Sequence, residues 1–594
     1  MVMKTKDKLS KLRSLMASKK VSAYIVPSSD PHLSEYIPDC WKLREWLSGF
    51  TGSAGTLVVA EKSAALWTDS RYFLQAEEEL TGSGIELCKM GLPETHSLER
   101  WIANNIDKGK VVGFDGSLMA YSTAKKLIKD LEKLNLEVDA QFDIIDKIWD
   151  KRPAYPKGKA FEHELRYAGQ SVSEKIELIR QTLAKEGCNT CIMTALDEVV
   201  WAFNIRGNDV NYNPVVLSYG IISDDEAVLF IDMSKVDESL AYRLEGQGVE
   251  IMEYHMVEKY IKSLPKSSVI AIDETKINYN LASLISKKIL KKATLSIPTR
   301  LKAIKNAVEL ENIRQSMVMD GVAMCQFLVW LEKNVGKKTV TEITVAEKLL
   351  ELRKKQQGFV SESFGSIVGY KEHGAIVHYS ATPESASSIK PEGFLLVDSG
   401  GQYFQGTTDI TRTIHLSKPT EEEKLDYTLV LKGMIQLSMV HFPAGTRGAQ
   451  IDALARMAMW RNGINYGHGT GHGVGAFLNV HEGPQSIRPN ENPVTLEPGM
   501  VQSNEPAIYR AGKYGIRTEN LIACQVQAEN EYGKFYSFET LTLCPIDTMP
   551  IIVEILTSEE REWLNEYHRM VYERLSPELN AEMKEWLAKM TKAL

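Results

Sequence analysis

Residues 8–75 set out an order of elements that residues 174–235 replay, and this internal repeat restricts the fold more than any other feature of the chain. In the first copy, Leu9, Leu12, Leu15 and Met16 recur at helical spacing. They lead into Val21-Ser22-Ala23-Tyr24-Ile25-Val26, then Asp30, Trp46, Gly49-Phe50 and a two-strand run ending at Trp67-Thr68-Asp69. In the second, a helix over 175–185 leads to Thr190-Cys191-Ile192-Met193, then Asp197, Trp201, Arg206-Gly207 and strands ending at Phe230-Ile231-Asp232. Each copy continues into a strand–turn–helix unit. Val111-Val112-Gly113-Phe114-Asp115 precedes a helix over 122–133, and Val269-Ile270-Ala271-Ile272-Asp273 precedes a helix over 281–291. Alternating strands and helices predict two α/β domains of related fold, 1–152 and 160–300. Between them Lys151-Arg152-Pro153-Ala154-Tyr155-Pro156-Lys157-Gly158 is kept extended by its prolines.

A chain of 594 residues is too long for one core, and the repeat leaves 303–594 for a third domain. Its boundary falls near Ile297-Pro298-Thr299-Arg300. A long helix over 306–334 follows, with Leu310, Ile313, Met317 and Val322 on its apolar face, and then β-hairpins and helices. From about 550 to 594 the pattern is helical, opened by the capping-box sequence Thr557-Ser558-Glu559-Glu560. The aromatics of this extension, Trp563, Tyr567 and Trp586, either pad the third domain or form a subunit contact; intramolecular packing is the simpler expectation.

Composition enters here for what it excludes. The net charge of −8 argues against nucleic acid or an anionic membrane as partner. No apolar run is long enough for a transmembrane helix, and the basic N-terminus reads as an amphipathic helix and not a signal peptide. Seven scattered cysteines fit free thiols in a reducing cytoplasm, and the lone Cys188-Asn189-Thr190-Cys191 reads as buried packing.

The chemistry lies in the third domain. Gly467-His468-Gly469-Thr470-Gly471-His472-Gly473-Val474-Gly475 brackets two histidines with glycines. So much glycine makes a helix improbable, each residue costing about 1 kcal/mol relative to Ala. It offers close backbone approach and freedom at positive φ, hence a stiffly held turn or strand that brings imidazoles to something small. Upstream, Leu396-Val397-Asp398-Ser399-Gly400-Gly401 and Gly406-Thr407-Thr408-Asp409-Ile410-Thr411-Arg412-Thr413 read as a β-hairpin with an aspartate on each arm. Downstream, Ser503-Asn504-Glu505-Pro506 and Gly515-Ile516-Arg517-Thr518-Glu519-Asn520 form a similar pair with a glutamate on each arm.

Taken together these segments resemble the metal-binding motifs of the pita-bread metallopeptidases, and within them the aminopeptidase P (Xaa-Pro aminopeptidase) family in its long, three-domain form. The likeness runs over nearly the whole chain. It implies two creatinase-N-like α/β domains followed by a pita-bread catalytic domain, an α/β and α+β architecture. By that resemblance the metal ligands are Asp398, Asp409, His472, Glu505 and Glu519. Four carboxylates and one imidazole suit two divalent ions about 3.5–4 Å apart better than one, and oxygen dominance favours a hard ion such as Mn²⁺, as the resemblance also implies. The implied reaction is attack by a metal-activated bridging hydroxide on the first peptide bond of peptides with proline second. Glu505 matches the family's proton acceptor. His378, His468 and His481 are implied to line the site and assist catalysis. Arg71 aligns with a residue by which the N-terminal domain reaches substrate; its plainer reading is an ion pair with Asp69 or Glu77. His378 and His481 are expected to touch substrate as well. Arg517, two residues before Glu519, is expected to orient that ligand or contact substrate.

Two other functions fit the same motifs: a prolidase restricted to dipeptides, and a catalytically dead peptide-binding relative. The tandem α/β pair disfavours the first and the complete ligand set the second. A homodimer is the family's suggestion.

Overall fold

In the computed structural model, which describes residues 3–594, the chain forms two compact units. The first runs through Glu162 and takes in Gln170–Asn211 and Val215–Thr299; the second comprises His163–Gly169, Tyr212–Pro214 and Arg300–Leu594.

The first unit contains two six-stranded sheets of one topology. In spatial order the strands of one are Glu86–Lys89, Ala64–Thr68, Thr56–Ala60, Val21–Pro27, Val111–Phe114 and Glu137–Asp139. Those of the other are Glu250–Glu253, Ala227–Ile231, Ser218–Ser223, Thr190–Met193, Val269–Ile272 and Leu290–Ala293. In each, three antiparallel strands are flanked on both sides by parallel ones. The strand interiors are buried on both faces because helices cover each side. Alternation along Val21–Pro27 shows how. Tyr24 and Val26 pack with Leu9, Leu12 and Met16 of helix Thr5–Ser18, while Ala23 and Ile25 pack with Trp101, Leu127 and Leu131 on the opposite face.

The predicted helix over 281–291 is corrected by the structure. The helix is Tyr279–Leu284, started by Asn278, whose side chain accepts from the Leu281 amide. Leu290–Ala293 is a strand paired in parallel with Val269–Ile272. Completion of the sheet overrides the local helical pattern of Leu290-Lys291-Lys292-Ala293.

The second unit is built on helix Ala307–Asn334, capped reciprocally by Asn306 and Glu309. Ile313, Met317 and Val322 are buried and Leu310 lies against the same core. A three-stranded sheet places Phe394–Ser399 between Ile367–Tyr370 and Ile410–His415. A six-stranded sheet runs Phe442–Pro443, Gly533–Thr540, Asn520–Asn530, Val501–Asn504, Gly471–Gly473, Glu482–Ile487. The capping box at Thr557 and Glu560 forms and starts helix Ser558–Leu575. Leu564, Tyr567, Val571 and Leu587 of the C-terminal helices are buried in this unit's core, with Trp563 and Trp586 half-buried against it, so the extension is intramolecular padding. All seven cysteines are buried. Among the described residues no helix is long and apolar enough to cross a membrane.

Candidate metal centre

Strand register brings the acidic residues together. Phe394–Ser399 and Ile410–His415 pair antiparallel, with Asp398 opposite Thr411 and Asp409 just before the second strand. The two glutamates occupy a break between two ladders of matching register. Asn504 pairs with Asn520 on one side, Ala507 with Arg517 on the other, and Glu505 and Glu519 stand between. Pro506 lacks the amide that would continue the ladder. His472 lies at the centre of the short strand Gly471–Gly473.

The glycines around His472 serve close approach alone. None of Gly469, Gly471, Gly473 and Gly475 has positive φ, but a Cβ at Gly471 would run into the Ser503 carbonyl and one at Gly473 into that of Glu482. The conformational freedom expected from the sequence is not what the site uses.

Donor atoms of Asp409, His472 and Glu519 all lie within 4.8 Å of one another. His472 Nε2 is 3.5 Å from Asp409 Oδ2 and 3.6 Å from Glu505 Oε1. His472 Nδ1 donates to its neighbour's carbonyl, Gly473 O (2.9 Å), so in the neutral ring Nε2 presents its lone pair to the carboxylates. Glu519 is pushed well above the usual carboxylate range by burial and by the charges of Asp409, Glu505 and Asp398. Burial pushes Glu505 up to about 7, with Asp409 and Asp398 adding to the rise against the pull of His472 and Arg517. Asp398 is raised by burial too, and Oδ1 of this carboxylate is buried without a hydrogen-bond partner. Asp398, Glu505 and Glu519 therefore resist ionising together unless cations sit among them. With an imidazole lone pair and an orphaned carboxylate oxygen in the set, the residues fit divalent metal.

A second layer fixes these groups. Arg517, 2% exposed, donates from Nη2 to Asp398 Oδ2 (2.5 Å), from Nη1 to the Tyr509 hydroxyl (2.5 Å) and from Nε to Thr411 Oγ1 (3.2 Å). Its partner among the candidate ligands is therefore Asp398, and not Glu519 as the sequence suggested; Glu519 is held by Thr411 Oγ1 at 2.7 Å. His468 Nδ1 donates to Gly469 O (2.8 Å) and Nε2 accepts from Tyr509 (2.9 Å), which links it to Arg517. His481 meets the His472 ring edge-on at 4.4 Å. His378 is half-buried in the turn after Lys371–Ala375, a segment that packs on strand Tyr514–Arg517 at Gly374 and Gly515. Arg71 belongs to the first unit. There it pairs in two places with Asp69 (both 2.8 Å) and lines a cleft of about 380 Å³ with Trp67 and Met90.

Several supporting residues escaped sequence reasoning. Arg456, on helix Gly448–Trp460, binds Asp452 and donates to the carbonyls of Tyr466 and His468 (2.7 Å each). Thr470 donates to Asp452 (2.6 Å) while its carbonyl accepts the Glu505 amide (2.8 Å). Lys302 and Lys305, both buried, grip Glu482, the residue after His481, at 2.6 and 2.5 Å. Thr411, which holds Glu519, escaped it too, although it lies two residues beyond Asp409 in an extended run and hence on the same face.

Comparison with known proteins agrees with this geometry. Residues 311–525 match metallopeptidase family M24 and 534–594 the C-terminal region of peptidase M24. Residues 8–146 and 151–309 match creatinase/prolidase N-terminal domains. A probable Xaa-Pro aminopeptidase P of Laccaria bicolor is 40% identical over 98% of this chain and 92% of its own length. Aminopeptidase P2 of Arabidopsis thaliana is 40% identical over 99% of this chain and 88% of its own. The crystal structure of an X-prolyl aminopeptidase from Caenorhabditis elegans, described as a cytosolic enzyme with a di-nuclear active site, superimposes with a TM-score of 0.95 at 35% identity, covering all of both chains. With two creatinase-type domains ahead of a peptidase domain, the chain belongs to metallopeptidase family M24.

Proposed function

We propose that the chain is an Xaa-Pro aminopeptidase, hydrolysing the first peptide bond of peptides with proline second and releasing the N-terminal residue. The observation that carries this reading is the convergence of Asp398, Asp409, His472, Glu505 and Glu519 in a chain similar end to end to proteins of that name. These five would hold two divalent ions, and their oxygen-rich chemistry favours Mn²⁺. When bound, the ions supply Lewis acidity and make a water acidic enough to attack at neutral pH.

The chain's own residues do the rest. Glu505 takes the attacking water's proton and passes it on toward the leaving nitrogen. His481 and His378 donate to the carbonyl oxygen as it gains charge and to the leaving prolyl nitrogen. The support for His481 is its contact with His472. His468 enters the catalytic set through Tyr509 and Arg517, and Arg517 keeps Asp398 oriented. Arg71 binds substrate from residues 1–152, the access domain, with 160–300 as its structural repeat and 303–594 as the peptidase. Seven buried cysteines, scattered along the chain, fit a cytoplasmic enzyme. A homodimer is proposed on family resemblance alone.

The test compares an Xaa-Pro-Xaa tripeptide with an Xaa-Pro dipeptide before and after chelation. Metal-dependent cleavage of the tripeptide is expected. Preference for the dipeptide moves the assignment to prolidase, and no cleavage of either with metal present makes the chain a binding protein.

A further inference from the structure

Phe477 has φ +51, in the left-handed region that bulky side chains avoid, and its side chain is fully buried. It lies in the turn between His472 and His481. A residue held in such a conformation persists only where its surroundings over-determine it, and such residues cluster at functional sites. Around Phe477 four rings make a closed circuit. Phe477 meets His163 at 5.5 Å between centroids, His163 meets Tyr167 at 5.7 Å, Tyr167 meets Phe404 at 6.0 Å, and Phe404 returns to Phe477 at 5.5 Å. These separations are those of attractive aromatic pairs.

The adjoining backbone is held as well. Gln402 Nε2 donates to the carbonyls of Leu478 (2.7 Å) and Tyr212 (3.0 Å), and the Leu478 amide donates to Thr407 Oγ1 (3.2 Å). Tyr212 is itself left-handed, with φ +70. His163, Tyr167 and Tyr212 come from short segments that lie within residues 151–309, matched to an N-terminal domain, yet they belong to the peptidase unit. Asn306 and Asn312 fasten the first segment, donating to Ala168 O and Arg166 O at 2.9 Å each.

We infer that His163 and Tyr167 are positioning residues for peptide hydrolysis: they close an aromatic cage that holds Phe477 left-handed and so sets His481 against His472. The inference rests on the role given above to His481. The cage fixes the turn that joins the metal-ligand strand to the strand beginning at Glu482, and the edge-to-face contact of the two histidines follows from that turn.

The experiment uses the full-length, metal-loaded chain and a tripeptide substrate, with His163→Ala, His163→Phe, Tyr167→Ala and His481→Ala in parallel. Both cage alanine variants are expected to keep their metal content and KM while kcat falls about tenfold, the scale of losing an outer supporting contact. His163→Phe restores a ring without an imidazole and is expected to return kcat to within about twofold of wild type. Unchanged kcat in the alanine variants overturns the inference. So does an equal loss in His163→Phe, or a change confined to KM or metal content. If His163→Ala does not fold, Tyr167→Ala decides by the same kcat, KM and metal criteria. Full kcat in His481→Ala overturns the role of His481 and this inference with it; loss there without loss in the cage variants overturns the inference alone.

Discussion

Asp409 shows how much one side chain carries here. It lies 3.5 Å from the His472 nitrogen and is the first charge pushing Glu519 upward. Asp409→Asn keeps the shape and removes the charge, so turnover is expected to fall about 100-fold or more with little change in melting temperature. Near-wild-type turnover would take Asp409 out of the metal centre. The raised carboxyls make a second expectation. In apoprotein prepared by chelation, Glu505 titrates near 7 and Glu519 also above its ordinary value, so the site carries protons that cations must displace. Metal binding at pH 6.5 is therefore expected to release protons and to weaken as pH falls. Calorimetry in buffers of different ionisation enthalpy measures that release, and none at all would mean the carboxylates are already ionised.

At the scale of the element, the C-terminal helix Ser558–Leu575 is tied to the ligand strands through buried polar groups. Arg412 donates to Glu519 O (2.7 Å) and to the Tyr567 hydroxyl (2.9 Å). Next to Tyr567, His568 Nε2 accepts the Ile546 amide at 3.1 Å. Burial, with Arg412 nearby, lowers this imidazole to about 4. The folded state thus resists a proton that the unfolded chain takes up at about 6.5. Stability from this group is complete above about 6.5 and is lost as pH falls toward about 4, by roughly 3 kcal/mol in all. His568→Gln keeps an acceptor for Ile546 and removes the titration. Urea midpoints at pH 7 and 4.5 should therefore fall less in the variant than in wild type, and parallel falls would show that His568 does not titrate this way.

Over the whole molecule, two α/β domains of related fold are legible in the sequence, because both copies carry the same order of apolar runs and turns; their common strand order comes from the structure. What pattern could not reveal is that the peptidase unit recruits 163–169 and 212–214 from outside its own contiguous stretch. A fragment starting at residue 300 lacks the carbonyls of Ala168, Arg166 and Tyr212 that Asn306, Asn312 and Gln402 bond, and the His163 ring that packs on Phe477. Calorimetry should show it melting below the peptidase transition of the full chain, and equal melting temperatures would mean that these segments contribute nothing.

The sequence by itself determined the repeat, the long helix and the capping box at Thr557, since each depends on residue type at short spacing: alternating apolar runs, one apolar face, a cap three residues from its partner. Only the tertiary structure decided that residues 290–293 complete a sheet, that Arg517 holds Asp398, that His468 is bound to Tyr509 and that Phe477 is caged by His163. Those contacts join residues far apart in the chain, and the free energy that selects them comes from burial and hydrogen bonding in the assembled core, which no local window of sequence contains.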